Sequence, residues 1–229
     1  ERVLRARLSD ARFFFEEDKK VSLEERVEDL KGVVYQAKLG TSYEKMVRFR
    51  KLAEGLASRL CPSLVDKVSR AAYLSKADLV SGMVGEFPEL QGIMGREYAL
   101  LAGEEADVAR AIHEHYLPTQ AGGELPSTDI GALVSLADKV DTICGCFGVG
   151  LIPTGTADPY ALRRSAIGVL NIILERGYRI SIPELVAQSL ALLEVKLTRP
   201  RGAVEADVVE FIRLRLANML TGRGFATDL

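Results

Sequence analysis

Apolar residues recur at helical spacing almost from one end of this chain to the other, and that periodicity restricts the architecture more than any other feature. Leu133, Ala137, Val140 and Cys144 share one stripe of a helix predicted over 129–147. Leu162, Ala166, Val169 and Ile173 share another, opened by Asp158-Pro159 and closed by Gly177. Ser22-Leu23-Glu24-Glu25 and Thr41-Ser42-Tyr43-Glu44 are capping boxes: the hydroxyl accepts a backbone N–H while the glutamate reaches back. Further helices are predicted over 2–18, from Pro62-Ser63 to about Gly85, from Pro88, and over 106–116, 183–194 and 204–220. Loops carrying glycine and proline fall at 117–128 and 148–156, and Tyr178-Arg179-Ile180-Ser181-Ile182 reads as an extended connection. The expected class is all-α, a helical bundle with short flanking segments, and Thr198-Arg199-Pro200-Arg201-Gly202 is the best linker candidate.

Charge and composition then narrow the function. The 229 residues hold 30 Lys and Arg against 32 Asp and Glu, so the chain is no globally basic nucleic-acid binder and any such contact must be a local patch. A chain of this length and 48% hydrophobic content can bury a core without disulfide or metal staples. Cys61, Cys144 and Cys146 have neither disulfide-framework nor CxxC spacing, which points to buried thiols in a reducing, cytoplasmic setting. No apolar run approaches the ~18 residues of a membrane helix, and the charged start Glu1-Arg2-Val3-Leu4-Arg5 is no signal peptide. A start at Glu1 rather than Met is expected of a segment of something longer. With two histidines in all, metal chemistry is severely limited.

No GxGxxG or GxxxxGK[ST] loop is present. Leu151-Ile152-Pro153-Thr154-Gly155-Thr156 could turn backbone N–H groups toward an anion, but such loops more often only join helices. Three stretches say more: His113-Glu114-His115-Tyr116-Leu117-Pro118, Gly122-Gly123-Glu124-Leu125-Pro126 and Ala137-Asp138-Lys139-Val140-Asp141. They resemble the second half of the HD superfamily of metal-dependent phosphohydrolases. The resemblance implies metal positions near Tyr43, at Ser75-Lys76 in place of the His-Asp doublet, at His113 or His115, and at Asp138. Lys76 would set a cation where a metal should sit. The implied site is therefore vestigial (Tyr43, Ser75, Lys76, His113, Asp138), with no metal and no catalytic residue expected. The plainer reading of His113 and His115 is a solvated helix end with the rings bonded to nearby carbonyls.

Glu86-Phe87-Pro88-Glu89-Leu90-Gln91-Gly92 and Asp158-Pro159-Tyr160-Ala161-Leu162-Arg163-Arg164 are more specific. Together with Arg7-Leu8-Ser9-Asp10-Ala11-Arg12, Lys38-Leu39-Gly40-Thr41, Leu74-Ser75-Lys76-Ala77-Asp78-Leu79 and Ala137-Asp138-Lys139-Val140-Asp141-Thr142, they resemble the beta subunit of the bacterial two-subunit glycyl-tRNA synthetase, over nearly the whole chain. The resemblance implies a central HD-like domain at 22–195, the helical end of an upstream region at 1–21, and a linker with the start of a downstream helical region at 196–229. It implies a share in ATP-dependent glycylation of tRNA(Gly) by an alpha-beta heterotetramer. The alpha subunit forms the adenylate with ATP and Mg, and this segment has no cofactor and no activity alone. Its implied partners are tRNA(Gly), the alpha subunit and other beta-subunit domains, with no membrane.

For RNA contact the candidates are Arg163 and Arg164 in the first turns of their helix, Lys139 on the neighbouring helix and Lys76, all expected in one basic concavity. The alternative is that Arg163 or Arg164 pairs with Asp138 or Asp141 and locks two helices together. Arg48, with Arg50 and Lys51, is a second candidate, though such runs are usually solvated. Arg2, Arg5, Arg7 and Arg12 are balanced by Glu1, Asp10, Glu16 and Glu17. Phe13, Phe14 and Phe15 cannot all face one core, so one should meet a neighbouring domain, subunit or base. Three functions compete: a tRNA-binding and assembly segment of a ligase, an HD-type phosphohydrolase, and a purely structural interdomain scaffold.

Overall fold

The structure, a computed structural model, describes residues 2–225 and is an all-α bundle. Its elements are α1 (Arg2–Asp18), α2 (Leu23–Asp29), the hairpin strands β1 (Val34–Gln36) and β2 (Gly40–Thr41), α3 (Ser42–Leu60), α4 (Val65–Leu74), α5 (Gly82–Glu86) and α6 (Ile93–Leu101). They continue as α7 (Ala106–Glu114), α8 (Asp129–Gly148), α9 (Leu162–Arg176), α10 (Ile182–Leu193) and α11 (Arg201–Gly222). None is long and apolar enough to cross a membrane, among the described residues.

The bundle is built around α8. Every residue of that helix except Asp129 and Thr142 is buried, because α3, α4, α7, α9, α10 and α11 all pack against it. A helix enclosed this way needs no polar face, so the stripe Leu133, Ala137, Val140 and Cys144 is only part of its contact surface. Small residues let neighbours approach: a Cβ at Gly148 would run into the Leu197 side chain. Cys144 and Cys146 are buried on this helix and Cys61 is half-buried. Burial pushes the Cys144 thiol up to about 12 and the Cys146 thiol to about 11, which leaves both unreactive at neutral pH.

Both capping boxes form. The Glu25 N–H donates to Ser22 Oγ at 3.2 Å and the Ser22 N–H to Glu25 Oε2 at 2.9 Å. The Glu44 N–H donates to Thr41 Oγ1 at 3.2 Å and the Thr41 N–H to Glu44 Oε2 at 2.8 Å. Between Pro62 and Gly85 the expected single helix is broken. α4 ends at Leu74, a 3-10 turn covers Ala77–Val80, and α5 begins after Ser81. Serine and aspartate side chains compete here with the helical backbone. The Ser75 hydroxyl donates to the Ala72 carbonyl at 2.9 Å, Ser81 Oγ caps Val84, and buried Asp78 accepts the N–H groups of Gly92 and Gly95. Pro88 starts only a 3-10 turn, and α6 follows Gly92, whose φ of 83° suits glycine.

α9 also starts later than Asp158-Pro159 suggests. The Asp158 carboxylate accepts the N–H groups of Leu162 and Arg163 at 2.8 and 2.9 Å, and Ala161 takes a left-handed φ of 52° in between. The Thr198–Gly202 stretch is anchored: the Thr198 N–H donates to the Gly148 carbonyl at 2.9 Å, and α11 begins at Arg201 and buries Val204, Val208 and Ile212. Residues 178–181 are irregular and form no strand.

α1 is fastened by its last residue. Buried Asp18 accepts the N–H groups of Gly82 and Met83 at 2.8 and 2.9 Å and the Tyr98 hydroxyl at 2.7 Å, and pairs with Arg26 at 3.0 Å. Phe15 stacks on Tyr98 and Phe14 packs on the core, while Phe13 stays 60% exposed. Asp18→Ala would leave a buried guanidinium, two N–H groups and a phenol unpaired. The expected cost is ~3 kcal/mol, read from urea denaturation.

Candidate functional site

Two pairs of residues with matching spacing meet at the centre of the bundle. Lys45 and Arg48 stand one turn apart on α3, and Asp138 and Asp141 one turn apart on the facing side of α8. Lys45 Nζ lies 2.8 Å from Asp138 Oδ1 and 3.1 Å from Asp141 Oδ2, and donates to Thr142 Oγ1 at 2.8 Å. Arg48 donates to both Asp141 oxygens at 2.8 and 3.2 Å and to the Leu39 carbonyl at 3.3 Å. Lys76, just past the end of α4, donates to Asp138 Oδ2 at 2.9 Å, with its ammonium 4.1 Å above the Tyr116 ring. All five charged groups are buried.

Their electrostatics follow from that enclosure. Burial opposes the Lys45 charge, but the carboxylates of Asp138 and Asp141 outweigh it and hold Lys45 above the ordinary lysine value. Burial likewise opposes the Asp138 charge, and Lys45 and Lys76 override it, so its carboxyl sits well below the usual range. Burial draws Lys76 down, against the pull of Asp138. His115, at the end of α7, is enclosed beside this cluster. Burial and the Lys76 charge hold its imidazole well below the ordinary histidine value, hence neutral. Its Nδ1 hydrogen-bonds the Ile112 carbonyl at 2.5 Å.

The cluster forms the floor of a cleft of about 510 Å³. Lys139, Tyr116, Tyr35 and Thr142 line it further, with Tyr160 from the turn before α9 and Arg164 and Ser165 from α9 itself. Lys139 is buried, and its ammonium donates to the Leu117 carbonyl at 2.9 Å and to Ser135 Oγ at 2.8 Å, with the Tyr116 and His115 carbonyls at 3.3 and 3.4 Å. It caps the carbonyl end of α7. Burial, only partly offset by Asp138, pushes its pKa down to about 7.

Of the five basic residues singled out in the sequence, Lys76, Lys139 and Arg164 line this cleft and two do not. Arg163 turns away, donating to the Gly155 carbonyl at 2.8 Å, and Arg48 is spent on Asp141 behind the floor. Arg164 alone of the five is exposed, and it has no ion-pair partner among the described residues. The expected lock between α9 and α8 through Arg163 or Arg164 is replaced by Arg48 and Lys45 from α3, which reach the same carboxylates from the opposite side. Arg50 pairs with Glu54 at 3.0 Å.

The vestigial positions need correction too. Tyr43 lies outside the cleft with the Lys31 ammonium 4.7 Å over its ring, and Lys45, two residues on, is what enters. Ser75 is turned back onto α4. His115 rather than His113 abuts the cluster, and it is buried rather than solvated; His113 sits half-buried near Arg96 and Glu124. The 151–156 loop borders a separate hollow. Sequence reasoning missed Lys45, though its i,i+3 pairing with Arg48 opposite Asp138 and Asp141 was a usable signal.

The donor set does not fit a metal ion. Both oxygens of Asp138 face lysine ammonium groups, which a divalent cation would have to displace against direct repulsion. Among the described residues, no three His, Cys, Asp or Glu side chains are placed to share an ion.

Two outcomes follow for stability. An unfolded histidine binds a proton below pH 6.5 that folded His115 refuses, so folding weakens as pH falls through that value. About 1 kcal/mol should be lost between pH 6.5 and 5.5 in urea titrations, and His115→Gln should remove that component. Lys76→Met leaves half of Asp138 unpaired and should cost ~3 kcal/mol. The double variant Lys76→Met, Asp138→Asn should recover part of that loss in a double-mutant cycle.

The glycyl-tRNA synthetase beta subunit family profile matches residues 1–229. A glycine--tRNA ligase beta subunit from Geobacter metallireducens is 73% identical over 223 residues, covering 97% of this chain and 32% of the relative. The same subunit from Syntrophotalea carbinolica is 69% identical over 229 residues, covering 100% of this chain and 33% of the relative. The chain thus spans about a third of the length of the curated relatives it matches. An all-α bundle with ion-paired lysines at its charged centre, matched along its whole length by one profile and by relatives of this identity, belongs to the glycyl-tRNA synthetase beta subunit family.

Proposed function

We propose that this chain is a non-catalytic segment of a glycyl-tRNA synthetase beta subunit, which supports tRNA(Gly) binding and heterotetramer assembly in the cytoplasm. Adenylate formation with ATP and Mg belongs to the alpha subunit, and the isolated segment charges no tRNA. The observation that carries this reading is Arg164. Its guanidinium is exposed at the edge of a cleft whose floor is occupied by ion-paired lysines. A guanidinium so placed suits an RNA phosphate, and the floor beneath it offers no hydrolytic machinery.

The scaffold reading draws on a different observation: Lys76, Lys139, Arg48 and Arg163 are all engaged within the protein. The two readings separate on Arg164→Ala in the intact alpha-beta enzyme. Phosphate contact predicts weaker tRNA(Gly) binding and a salt dependence (log K against log salt) shallower by about one. Unchanged affinity and salt slope, with charging lost only on deletion of the whole segment, would leave the scaffold alone.

A further inference from the structure

The charge balance of the cleft points to a specific kind of anion. Lys45, Arg48, Lys76, Lys139 and Arg164 gather at or directly behind it, and Asp138, Asp141 and the rim residue Glu89 are the carboxylates there, which leaves two positive charges in excess. The excess is not spread evenly. Lys45, Arg48 and Lys76 share the two aspartates, which leaves one positive charge at the ion-paired floor, equal and opposite to the Glu89 carboxylate at the rim. Lys139 and Arg164 have no carboxylate partner among the described residues. Lys139 is more than nine-tenths buried and bound only to neutral oxygens, and a buried charge without a counter-ion is costly. The N-terminus of α9 adds little, since Asp158 already takes its first N–H groups. The attraction therefore comes from two side chains without a carboxylate partner: Arg164, charged and free at the edge, and Lys139, fixed in the wall, which burial leaves only partly protonated at neutral pH until an anion holds the charge there.

A phosphomonoester carries close to two negative charges at neutral pH, and a backbone phosphodiester carries one. The cleft, at about 510 Å³, is of small-molecule size. We propose that the cleft is a phosphomonoester site, which takes the dianionic phosphate of a nucleotide, either free or at the 5′ end of an RNA. Arg164 donates to the phosphate directly, and Lys139 supplies the second charge from the wall while holding the 115–117 carbonyls. This rests on the RNA-contact reading above and sharpens it from any phosphate to a terminal one.

The test uses the intact alpha-beta enzyme and two probes. The first is tRNA(Gly) transcripts with a 5′-monophosphate or a 5′-hydroxyl, and the second is free CMP followed by calorimetry. Arg164→Ala is the variant, because an exposed side chain can be truncated without disturbing the fold. If the source is an RNA end, the 5′-phosphorylated transcript binds about tenfold tighter than the 5′-hydroxyl one, and Arg164→Ala removes that preference. If the source is a free nucleotide, CMP binds and Arg164→Ala weakens it about tenfold. Equal weakening of both transcripts by Arg164→Ala, with no effect on CMP, leaves the backbone contact standing and overturns the monoester site. No effect on any probe overturns both.

Discussion

Asp138 sits between two lysine ammonium groups at the middle of a helix with no open face, and most of the structure is arranged to make that tolerable. Five buried charged groups in one place would each be expensive alone. Here the geometry closes: Lys45 bridges Asp138 and Asp141, Arg48 covers Asp141 with two hydrogen bonds, and Lys76 takes the remaining oxygen of Asp138. The network joins α3, the end of α4 and α8 at fixed distances, and α7 is tied in through Lys139. Removing one charge leaves its neighbours exposed to the same cost, so the cluster is kept as a whole or not at all.

The arrangement also accounts for what the cleft cannot do. In a metal-dependent hydrolase, ions supply the positive charge that activates water and receives phosphate. Here the positive charge at the floor is that of lysine side chains, and an ammonium group bound to carboxylates offers no open coordination position. Positive potential remains at the wall and edge, where Lys139 and Arg164 have no acidic partners.

Much of the fold was legible because it rests on local physics. Ser22 and Thr41 cap their helices as their spacing requires, and the α8 stripe faces a core as its periodicity requires. What escaped was decided by tertiary partners. The Pro62–Gly85 stretch has helical composition, yet Asp78 is drawn inward by the N–H groups of Gly92 and Gly95 and the helix breaks around it. The basic residues show the same limit. Periodicity places Arg163 and Arg164 outside the apolar stripe of α9, but their separation into one anchored to Gly155 and one at the cleft depends on the path of the 150–161 loop. Arg48 stands in a charged run whose composition suggests a solvated face, yet it and Lys45 are buried because Asp138 and Asp141 of α8 draw them inward.

The enclosure of α8 bears on how the cleft behaves in time. Asp138, Lys139 and Thr142 of the cleft lie on the helix that six others pack against, so that part of the cleft is held by the core of the bundle. Hinge closure or a sliding helix would require breaking the core itself. Adaptation to an incoming molecule therefore falls to the rim, where Glu89, Thr119 and Arg164 are the exposed side chains and can change rotamer at little cost. The cleft thus has a fixed interior and a soft lip, so any molecule it took would meet shape and charge already in place.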